Sequence, residues 1–321
     1  DLSKSIIDMN NDGQSEIVVI GLSSNTLSGL TKLWIYEYDK STTSFKKTDA
    51  SDQIAELGDA SFDLGDIDND QDIDLLITGF SSSDGLKCIV YENITELSGS
   101  LTLKETDNNL VAIKDGTADF IDFDGDGDLD AVFTGTSYNS DIFEIYVNKL
   151  NEGISTWPRL STGLVPIRQS IIDLGDFNGD GYSDILYSGI TGGAGNVTKL
   201  SEYNPNTGAY ADSAFDVSDI QNAEVEFGDL DGDLDLDFVI VGKNKNYDSN
   251  GTNGTNNQFI FRTYINVRNE SAAVLASTKA KQSATNKTFS TQSATYTINN
   301  KPSVPELTST PVKFLDNVNS K

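Results

Sequence analysis

The sequence of 321 residues contains no histidine and only one cysteine. The absence of histidine excludes Ser-His-Asp and Cys-His catalytic groups, histidine general bases and zinc sites with imidazole ligands. The lone Cys88 excludes an intrachain disulfide, and the apolar run Cys88 to Tyr91 predicts a buried structural thiol. Any catalysis would have to use carboxylate, tyrosine, lysine or arginine side chains, and we expect that the chain is not an enzyme.

Basic residues are also scarce, since 22 Lys and Arg stand against 50 Asp and Glu, a net charge of −28. This charge excludes nucleic-acid binding through a basic surface. No apolar run approaches the roughly 18 to 20 residues of a membrane-spanning helix, so we expect no membrane insertion. The chain begins at Asp1 without a signal-like segment. We therefore expect it to be part of a larger polypeptide.

What the sequence has in abundance is acidic loops, and the stretch Asp122 to Asp130 is the clearest. Counted from Asp122, acidic residues occupy positions 1, 3, 5, 7 and 9, and glycines occupy positions 4 and 6. In calcium loops, side chains at positions 1, 3, 5 and 9 and the backbone carbonyl at position 7 supply oxygen ligands, while glycine permits the tight turn. Carboxylates this close repel one another without a cation. The stretch therefore predicts a Ca²⁺ site.

The pattern occurs five times, and the loops begin 58, 56, 54 and 53 residues apart. Every loop has an acidic residue at positions 1, 5 and 9 and Asp or Asn at position 3, so we predict up to five Ca²⁺ ions. The predicted metal residues, position 7 included, are Asp8, Asn10, Asp12, Gln14 and Glu16; Asp66, Asp68, Asp70, Asp72 and Asp74; Asp122, Asp124, Asp126, Asp128 and Asp130; Asp176, Asn178, Asp180, Tyr182 and Asp184; and Asp229, Asp231, Asp233, Asp235 and Asp237.

The residues on both sides of each loop are predicted to form β-strands. A short apolar segment precedes every loop, a β-branched or aromatic run follows it, and a third segment ends near a tyrosine. A glycine lies 13 residues after the first aspartate of each loop, and we expect it to end the second strand in a turn. Three or four antiparallel strands per unit of about 55 residues predict an all-β protein, a β-propeller with five blades that carry Ca-binding loops.

Two other classes of protein with acidic loops do not fit. An EF-hand requires a bidentate glutamate at position 12 and flanking helices, and dockerin-like modules also pair their loops with helices, over shorter repeats. Position 12 is instead apolar or aromatic and lies in a strand pattern in all five units. We expect almost no helix.

We expect the blades to begin near residues 1, 58, 114, 168 and 221, within a propeller domain of residues 1–300. Residues 270–300 contain no sixth acidic loop, although Thr295 to Ile298 could form one more strand. The prolines at 302 and 305 predict that residues 301–321 are a linker or the start of a following domain. The ring either closes with five blades and this strand, or is completed by motif-less or missing blades. We favour the second alternative.

The chain resembles the FG-GAP or VCBS repeats of integrin-type β-propellers over about residues 1–266. The resemblance rests on the five loops, on the glycine after each second strand, and on the pairs Gly65-Asp66, Gly175-Asp176 and Gly228-Asp229. It implies that each loop joins two strands of a blade and binds Ca²⁺, and that the protein is secreted or at the cell surface. The acidic, cysteine-poor composition favours a bacterial source.

The loops depart from this pattern at two kinds of position. Gln71 and Leu234 replace the position-6 glycine, so the second and fifth loops must turn with a side chain present. Asn69 and Gly232 at position 4 could absorb part of that strain. The first and fourth loops contain three carboxylates rather than five, so we expect them to bind Ca²⁺ more weakly.

We expect the calcium sites to be structural, which leaves ligand recognition to the opposite face, the central channel or the grooves between blades. The candidate contact loops are those that follow the regular glycines. Those loops are Ser23–Gly29, Ser81–Gly85, Thr136–Asp141, Thr191–Asn196 and Asn244–Asn257. Trp34 is expected in the core. Trp157 is expected to be the more exposed tryptophan and the better candidate for stacking on a sugar.

Three functional hypotheses follow from the sequence. The favoured one is a non-enzymatic, extracellular binding or adhesion module that recognises a glycan or a protein. The second is an accessory or catalytic propeller of a secreted polysaccharide-degrading enzyme, and the third is a rigid spacer without a ligand. The absence of histidine, and of isolated acid pairs outside the loops, favours the first hypothesis over the second.

Overall fold

The computed structural model describes residues 2–10, 13–22, 31–95, 101–193, 195–213, 220–244 and 259–266. These residues form 19 β-strands and one turn of 3-10 helix, Ser51–Gln53. The strands form five antiparallel sheets, which follow one another around a ring as the blades of a β-propeller. The predicted all-β propeller is confirmed. No helix in this described part of the chain is long and apolar enough to cross a membrane.

The strands of each blade pair with one another in chain order. Blade 1 contains β1 (Leu2–Ile7), β2 (Glu16–Leu22), β3 (Thr31–Asp39) and β4 (Ser44–Asp49). Blade 2 contains β5 (Gly58–Gly65), β6 (Asp74–Ser81), β7 (Gly85–Asn93) and β8 (Leu103–Thr106). Blade 3 contains β9 (Lys114–Ile121), β10 (Asp130–Ser137), β11 (Ser140–Tyr146) and β12 (Arg159–Leu160). Blade 4 contains β13 (Arg168–Gly175), β14 (Asp184–Thr191), β15 (Gly195–Asn204) and β16 (Ala209–Asp212), and blade 5 contains β17 (Ile220–Gly228), β18 (Asp237–Asn244) and β19 (Phe259–Tyr264).

The first strand of each blade lies closest to the axis of the ring. Strands β5, β9, β13 and β17 contact one another in succession, although they belong to four different sheets. The later strands of each blade therefore lie progressively further out. The predicted boundary at residue 300 lies outside the described residues and stays a prediction, as does the strand at Thr295 to Ile298.

The regular glycine does not end the second strand, and that expectation was wrong. Strand β6 continues through Gly79 to Ser81. Opposite this glycine the pairing with β5 shifts register between Gly58 and Ser61, and a Cβ on Gly79 would lie only 2.8 Å from the carbonyl oxygen of Gly58. The glycine admits a β-bulge in the first strand, because the two backbones come too close for a side chain.

The hydrophobic core is divided into clusters that lie between consecutive blades. In the cluster between blades 2 and 3, the fully buried Phe133 packs with Leu76 and Val90. Cys88 lies partly buried against the same cluster. Burial raises the pKa of its thiol to about 12, so the thiol stays protonated as a structural residue would.

The two tryptophans have the reverse of their expected environments. Trp157 is only 2 % exposed and its ring stacks on Phe120, with 6.5 Å between the centroids. Trp34 is half-buried on β3, where its indole N–H donates to Asp49 and the ammonium of Lys47 lies 3.5 Å from the ring centroid. Trp157 is buried because its chain segment folds over the junction of blades 2 and 3, a tertiary contact that its polar neighbours did not indicate.

Carboxylates from three first strands come close to one another near the axis. Asp63 accepts a hydrogen bond from the backbone N–H of Phe120 in the next blade at 2.8 Å, and Asp173 accepts one from Phe227. Asp119 lies between them in the repeat order. Desolvation, followed by the charges of Asp63 and Asp173, raises the pKa of Asp119 to about 7.

This arrangement predicts a pH dependence of stability. The unfolded chain releases the Asp119 proton near pH 4, whereas the folded chain keeps it to about pH 7. The free energy of unfolding should therefore fall as pH rises from about 4 to 7, by at most about 4 kcal/mol at about 1.4 kcal/mol per pKa unit.

Urea denaturation across this pH range would measure the effect, with Ca²⁺ held in excess. Asp119→Asn should flatten this part of the profile, whereas Asp107→Asn, at an exposed carboxylate between blades, should leave it unchanged. An unaltered slope in Asp119→Asn would contradict the assignment.

Candidate metal centres

Each acidic loop connects the first and second strands of one blade, so all the loops lie at the same end of the propeller. Neighbouring loops also contact each other. The side-chain amide of Asn69 in the second loop donates to Asp128 in the third at 2.7 Å, and a Cβ on Gly125 would lie 2.8 Å from the carbonyl oxygen of Gly181 in the fourth. The second, third and fourth acidic loops therefore form a connected row on one face.

The position-1 aspartate closes each turn by accepting backbone hydrogen bonds. Asp122 accepts from the N–H groups of Gly125 at 2.8 Å and Gly127 at 3.1 Å. The equivalent bonds reach Asp66 from Asp70 and Gln71, Asp176 from Gly179, Asp180 and Gly181, Asp229 from Gly232 and Leu234, and Asp8 from Gly13.

The position-5 carboxylate folds the second half of the loop in the same way, through the backbone N–H at position 7. Asp126 accepts from Asp128 at 3.0 Å. The same bond joins Asp70 to Asp72, Asp180 to Tyr182, and Asp233 to Asp235. The side chain of Asp128 itself accepts from the amides of Asn69 and Asn151. The side chain at position 7 of the third loop therefore takes part in the contact between loops, and the role of the position-7 carbonyl as a metal ligand stays a prediction.

The position-9 carboxylate is buried and joins the loop to the third strand. Asp130 is 1 % exposed. One of its oxygens accepts from the N–H of Phe123 at 3.0 Å, and the other accepts from the N–H of Asn148 at 2.7 Å. The same two bonds are made by Asp74 with Ile67 and Asn93 and by Asp237 with Leu230 and Asn266. Asp184 accepts from Tyr203 in the same way, but its bond within the loop comes from the N–H of Asn178 at position 3 rather than from position 2.

The asparagines at the end of the third strand are site residues that the sequence reasoning missed. Asn148 donates its side-chain amide to the carbonyl of Ile67 in the preceding blade at 2.7 Å. Asn93 and Asn266 donate in the same way to Met9 and Phe177. The signal was present in the sequence, because each asparagine follows a tyrosine by two residues.

Blade 4 lacks this asparagine and replaces its bonds with other donors. Tyr203 occupies the position, and its ring lies 4.8 Å from that of Phe123. The N–H of Ser183 then donates to the carbonyl of Phe123 at 3.2 Å, and the hydroxyl of Tyr210 donates to the carbonyl of Ser183 at 2.9 Å. The junction between blades is therefore kept with different side chains.

The loops bring three sets of carboxylates together, each with oxygens that all lie within 4.8 Å of one another. The sets are Asp66, Asp68 and Asp70; Asp122, Asp124 and Asp130; and Asp229, Asp231 and Asp237. One oxygen of Asp68 and one of Asp124 are buried without a hydrogen-bond partner. A buried carboxylate oxygen without a donor is costly, and an oxygen-only cluster of this kind suits a hard divalent cation.

The raised pKa values of the loop carboxylates also favour a bound cation. Desolvation, followed by the neighbouring Asp70, raises the pKa of Asp68. Desolvation raises the pKa of Asp130 to about 7, and Asp74 and Asp184 behave alike. A cation in the loop would offset both the burial and the repulsion.

The first and fourth loops differ from the other three. In the fourth loop the amide of Asn178 donates to Asp184 at 3.4 Å, so part of the position-3 side chain is engaged within the loop. Among the described residues neither loop forms a set of three carboxylates, and Asp12 of the first loop lies outside them. Weaker binding at these two loops remains a prediction.

The fold and the loops together define a β-propeller in which an acidic turn joins the first two strands of every blade. A family model of the FG-GAP-like repeat matches residues 8–77 and 112–187. Residues 8–77 and 112–187 therefore match FG-GAP-like repeats, and the resemblance seen in the sequence is confirmed there. A comparison with curated proteins gives no match.

The backbone conformation of Leu234 in the fifth loop is expected to lower the stability of the fold. Leu234 has a φ of 73°, and the glycine at the same position of the third loop, Gly127, has a φ of 91°. The left-handed conformation costs an L-residue about 1–2 kcal/mol. Glycine avoids this cost, but its greater conformational entropy in the unfolded chain offsets about 0.5–1 kcal/mol of the benefit. Leu234→Gly should therefore raise the free energy of unfolding by up to about 1 kcal/mol.

The matched control is Gly127→Ala, which should lower the free energy of unfolding by about 1 kcal/mol, since alanine must adopt the positive φ. Both values come from urea denaturation in excess Ca²⁺. Destabilisation by Leu234→Gly would show that the side chain, although 93 % exposed, makes a stabilising contact.

Proposed function

We propose that the chain is a non-enzymatic binding module of an extracellular or cell-surface protein, stabilised by Ca²⁺ and directed at a glycan or protein ligand. The FG-GAP repeats and the acidic loops support the calcium part of the proposal. An extracellular setting supports it further, because the ion is abundant there and weak sites stay filled.

Calcium has a structural role in this proposal. The buried oxygens of Asp68 and Asp124 would be its ligands, together with the carboxylates at positions 1, 5 and 9 and the carbonyl at position 7. The position-9 carboxylate already holds the third strand through two backbone bonds. An ion bound there would tie loop and blade together, as a disulfide does in cysteine-rich proteins.

The ligand is assigned to the face opposite the acidic loops, where the second and third strands of each blade are joined. The observation that carries this assignment is Tyr138, which is 76 % exposed and has a φ of 53°. It is the first residue of the two-residue turn between β10 and β11, a place where glycine is the usual residue. An exposed aromatic ring held in an unfavourable backbone conformation is typical of a functional position.

Polar groups lie on the strand residues that flank this turn, where the hydroxyl of Thr136 donates to Asp141 at 3.3 Å. Asp141 forms an ion pair with Arg168 of blade 4 at 2.7 Å, and Gly192 lies close to the same carboxylate. An aromatic ring beside charged and hydroxyl groups suits a sugar or a peptide. Two of the other predicted contact loops, Ser23–Gly29 and Asn244–Asn257, lie almost wholly outside the described residues.

The calcium proposal predicts a loss of stability when the ion is removed. At a Ca²⁺ concentration about 100 times Kd, each filled site contributes about 2.7 kcal/mol, so EDTA should lower Tm and excess Ca²⁺ should restore it. Asp124→Asn should reduce the Ca²⁺-dependent part of Tm, and Asp107→Asn, outside the loops, should not. A Tm that EDTA leaves unchanged would contradict the proposal.

The ligand proposal predicts that Tyr138→Ala abolishes or weakens binding by at least about tenfold, the loss of one stacked ring, without changing Tm in Ca²⁺. Phe45→Ala, at another exposed aromatic residue on the outer strand β4, is the control. Glycan and protein arrays would identify the ligand, and titration of the three proteins would measure Kd. Release of unsaturated or reducing ends from a bound polysaccharide would instead indicate the enzyme hypothesis.

A further inference from the structure

The second and third acidic loops are joined by a side-chain hydrogen bond between one residue of each loop. The amide of Asn69, at position 4 of the second loop, donates to the carboxylate of Asp128, at position 7 of the third loop, at 2.7 Å. Asn69 stands between Asp68 and Asp70, which belong to one of the three sets of clustered carboxylates. This hydrogen bond, the loop bridge, therefore links the second loop to the third from a point between two of its proposed ligands.

The position of the Asn69 amide depends on the turn of the second loop. Asn69 has a φ of 59°, a left-handed conformation that asparagine adopts more readily than most residues. The turn is closed by Asp66, which accepts from the backbone N–H groups of Asp70 at 3.1 Å and Gln71 at 2.9 Å. A cation that orders this turn therefore also orders the donor that reaches the third loop.

On the third loop, the bridge holds the residue whose carbonyl is the proposed ligand at position 7. Asp128 is half-buried, and its backbone N–H donates to Asp126 at 3.0 Å. Its carboxylate accepts from the amide of Asn151 at 2.6 Å as well as from Asn69. Hydrogen bonds to an ionised carboxylate are stronger than those between neutral groups. Together these bonds restrict the rotation of Asp128 and so limit the directions that its carbonyl can take.

The turn itself does not require an asparagine at position 4. In the third, fourth and fifth loops this position is Gly125, Gly179 and Gly232. Their φ values are 75°, 76° and 84°, so glycine makes the same left-handed turn there. The side chain of Asn69 is therefore available for the contact between loops.

We propose that the second and third loops bind Ca²⁺ with positive cooperativity, and that the loop bridge from Asn69 to Asp128 transmits the coupling. This inference rests on the proposed calcium function and adds to it the dependence of one site on another. A filled second loop holds the Asn69 amide in place, so the third loop loses less conformational freedom when it binds its own ion. Linkage requires that the third loop improves binding to the second by the same factor.

A thermodynamic cycle on the full chain tests the proposal. Asp68→Asn weakens the second site, and Asn69→Gly removes the loop bridge while it introduces the residue that three other loops have at position 4. The wild type, the two single variants and the double variant are titrated with Ca²⁺ and followed by NMR of ¹⁵N-labelled protein. The position-6 amides of Gln71 and Gly127 report the second and third loops, because each donates to the position-1 aspartate of its own loop.

The expected result is a difference between the two backgrounds. Asp68→Asn should raise the Ca²⁺ concentration that half-fills the third loop by a factor at least about fivefold larger in the wild type than in Asn69→Gly. Repulsion between the two bound ions and the charge change of Asp68→Asn occur in both backgrounds, so they cancel in the comparison. Asp124→Asn, in the third loop, should show the same excess factor at the second loop.

Asn151→Gly is the matched control for the loss of the bridge. Asn151 donates to the same carboxylate of Asp128, but it belongs to the segment after β11 and not to another acidic loop. Its removal should weaken Ca²⁺ binding to the third loop and leave the excess effect of Asp68→Asn unchanged. The Tm of each variant in excess Ca²⁺ shows that the variant is folded.

The outcomes separate this inference from the proposed function. An effect of Asp68→Asn that is equal in both backgrounds, or smaller in the wild type, overturns the coupling and leaves calcium binding intact. Signals of Gln71 and Gly127 that do not respond to millimolar Ca²⁺ would instead overturn the calcium function, and the coupling with it.

Discussion

The buried carboxylate at loop position 9 is the interaction on which the rest of each blade depends. Asp74, Asp130, Asp184 and Asp237 are at most 1 % exposed, and each accepts one backbone hydrogen bond from its own loop and one from the end of the third strand. A charged group in such a place is stable only if donors or a cation satisfy it. The loop, the two strands that it connects, the third strand and the proposed metal site therefore share a single anchor.

This anchor explains why acidic residues are concentrated at one end of the molecule. Of the 50 acidic residues, 21 lie within the five loops, and desolvation raises the pKa of Asp130 to about 7. Without a cation these carboxylates would oppose the fold through both burial and repulsion. Bound Ca²⁺, as proposed, would offset this cost and would hold the first two strands together. The opposite end remains available for contacts that vary from blade to blade.

The junction between blades tolerates changes of side chain as long as its backbone groups remain bonded. Asn148 and Ile67 make the usual contact, yet blade 4 reaches an equivalent result with Ser183 and Tyr210. Each junction requires a hydrogen-bond donor for the carbonyl at loop position 2 of the preceding blade, together with an apolar surface.

The sequence by itself determined the repeat, the strand order of each blade and the turn chemistry of the acidic loops, because these depend on local spacing and on residue type. Tertiary structure decided what local patterns do not encode. The regular glycine marks a bulge rather than a turn, since the neighbouring backbone approaches it closely. Trp157 is buried because its segment packs over the junction with the neighbouring blade 2. The position-9 aspartate holds the third strand because folding brings together groups nearly 20 residues apart.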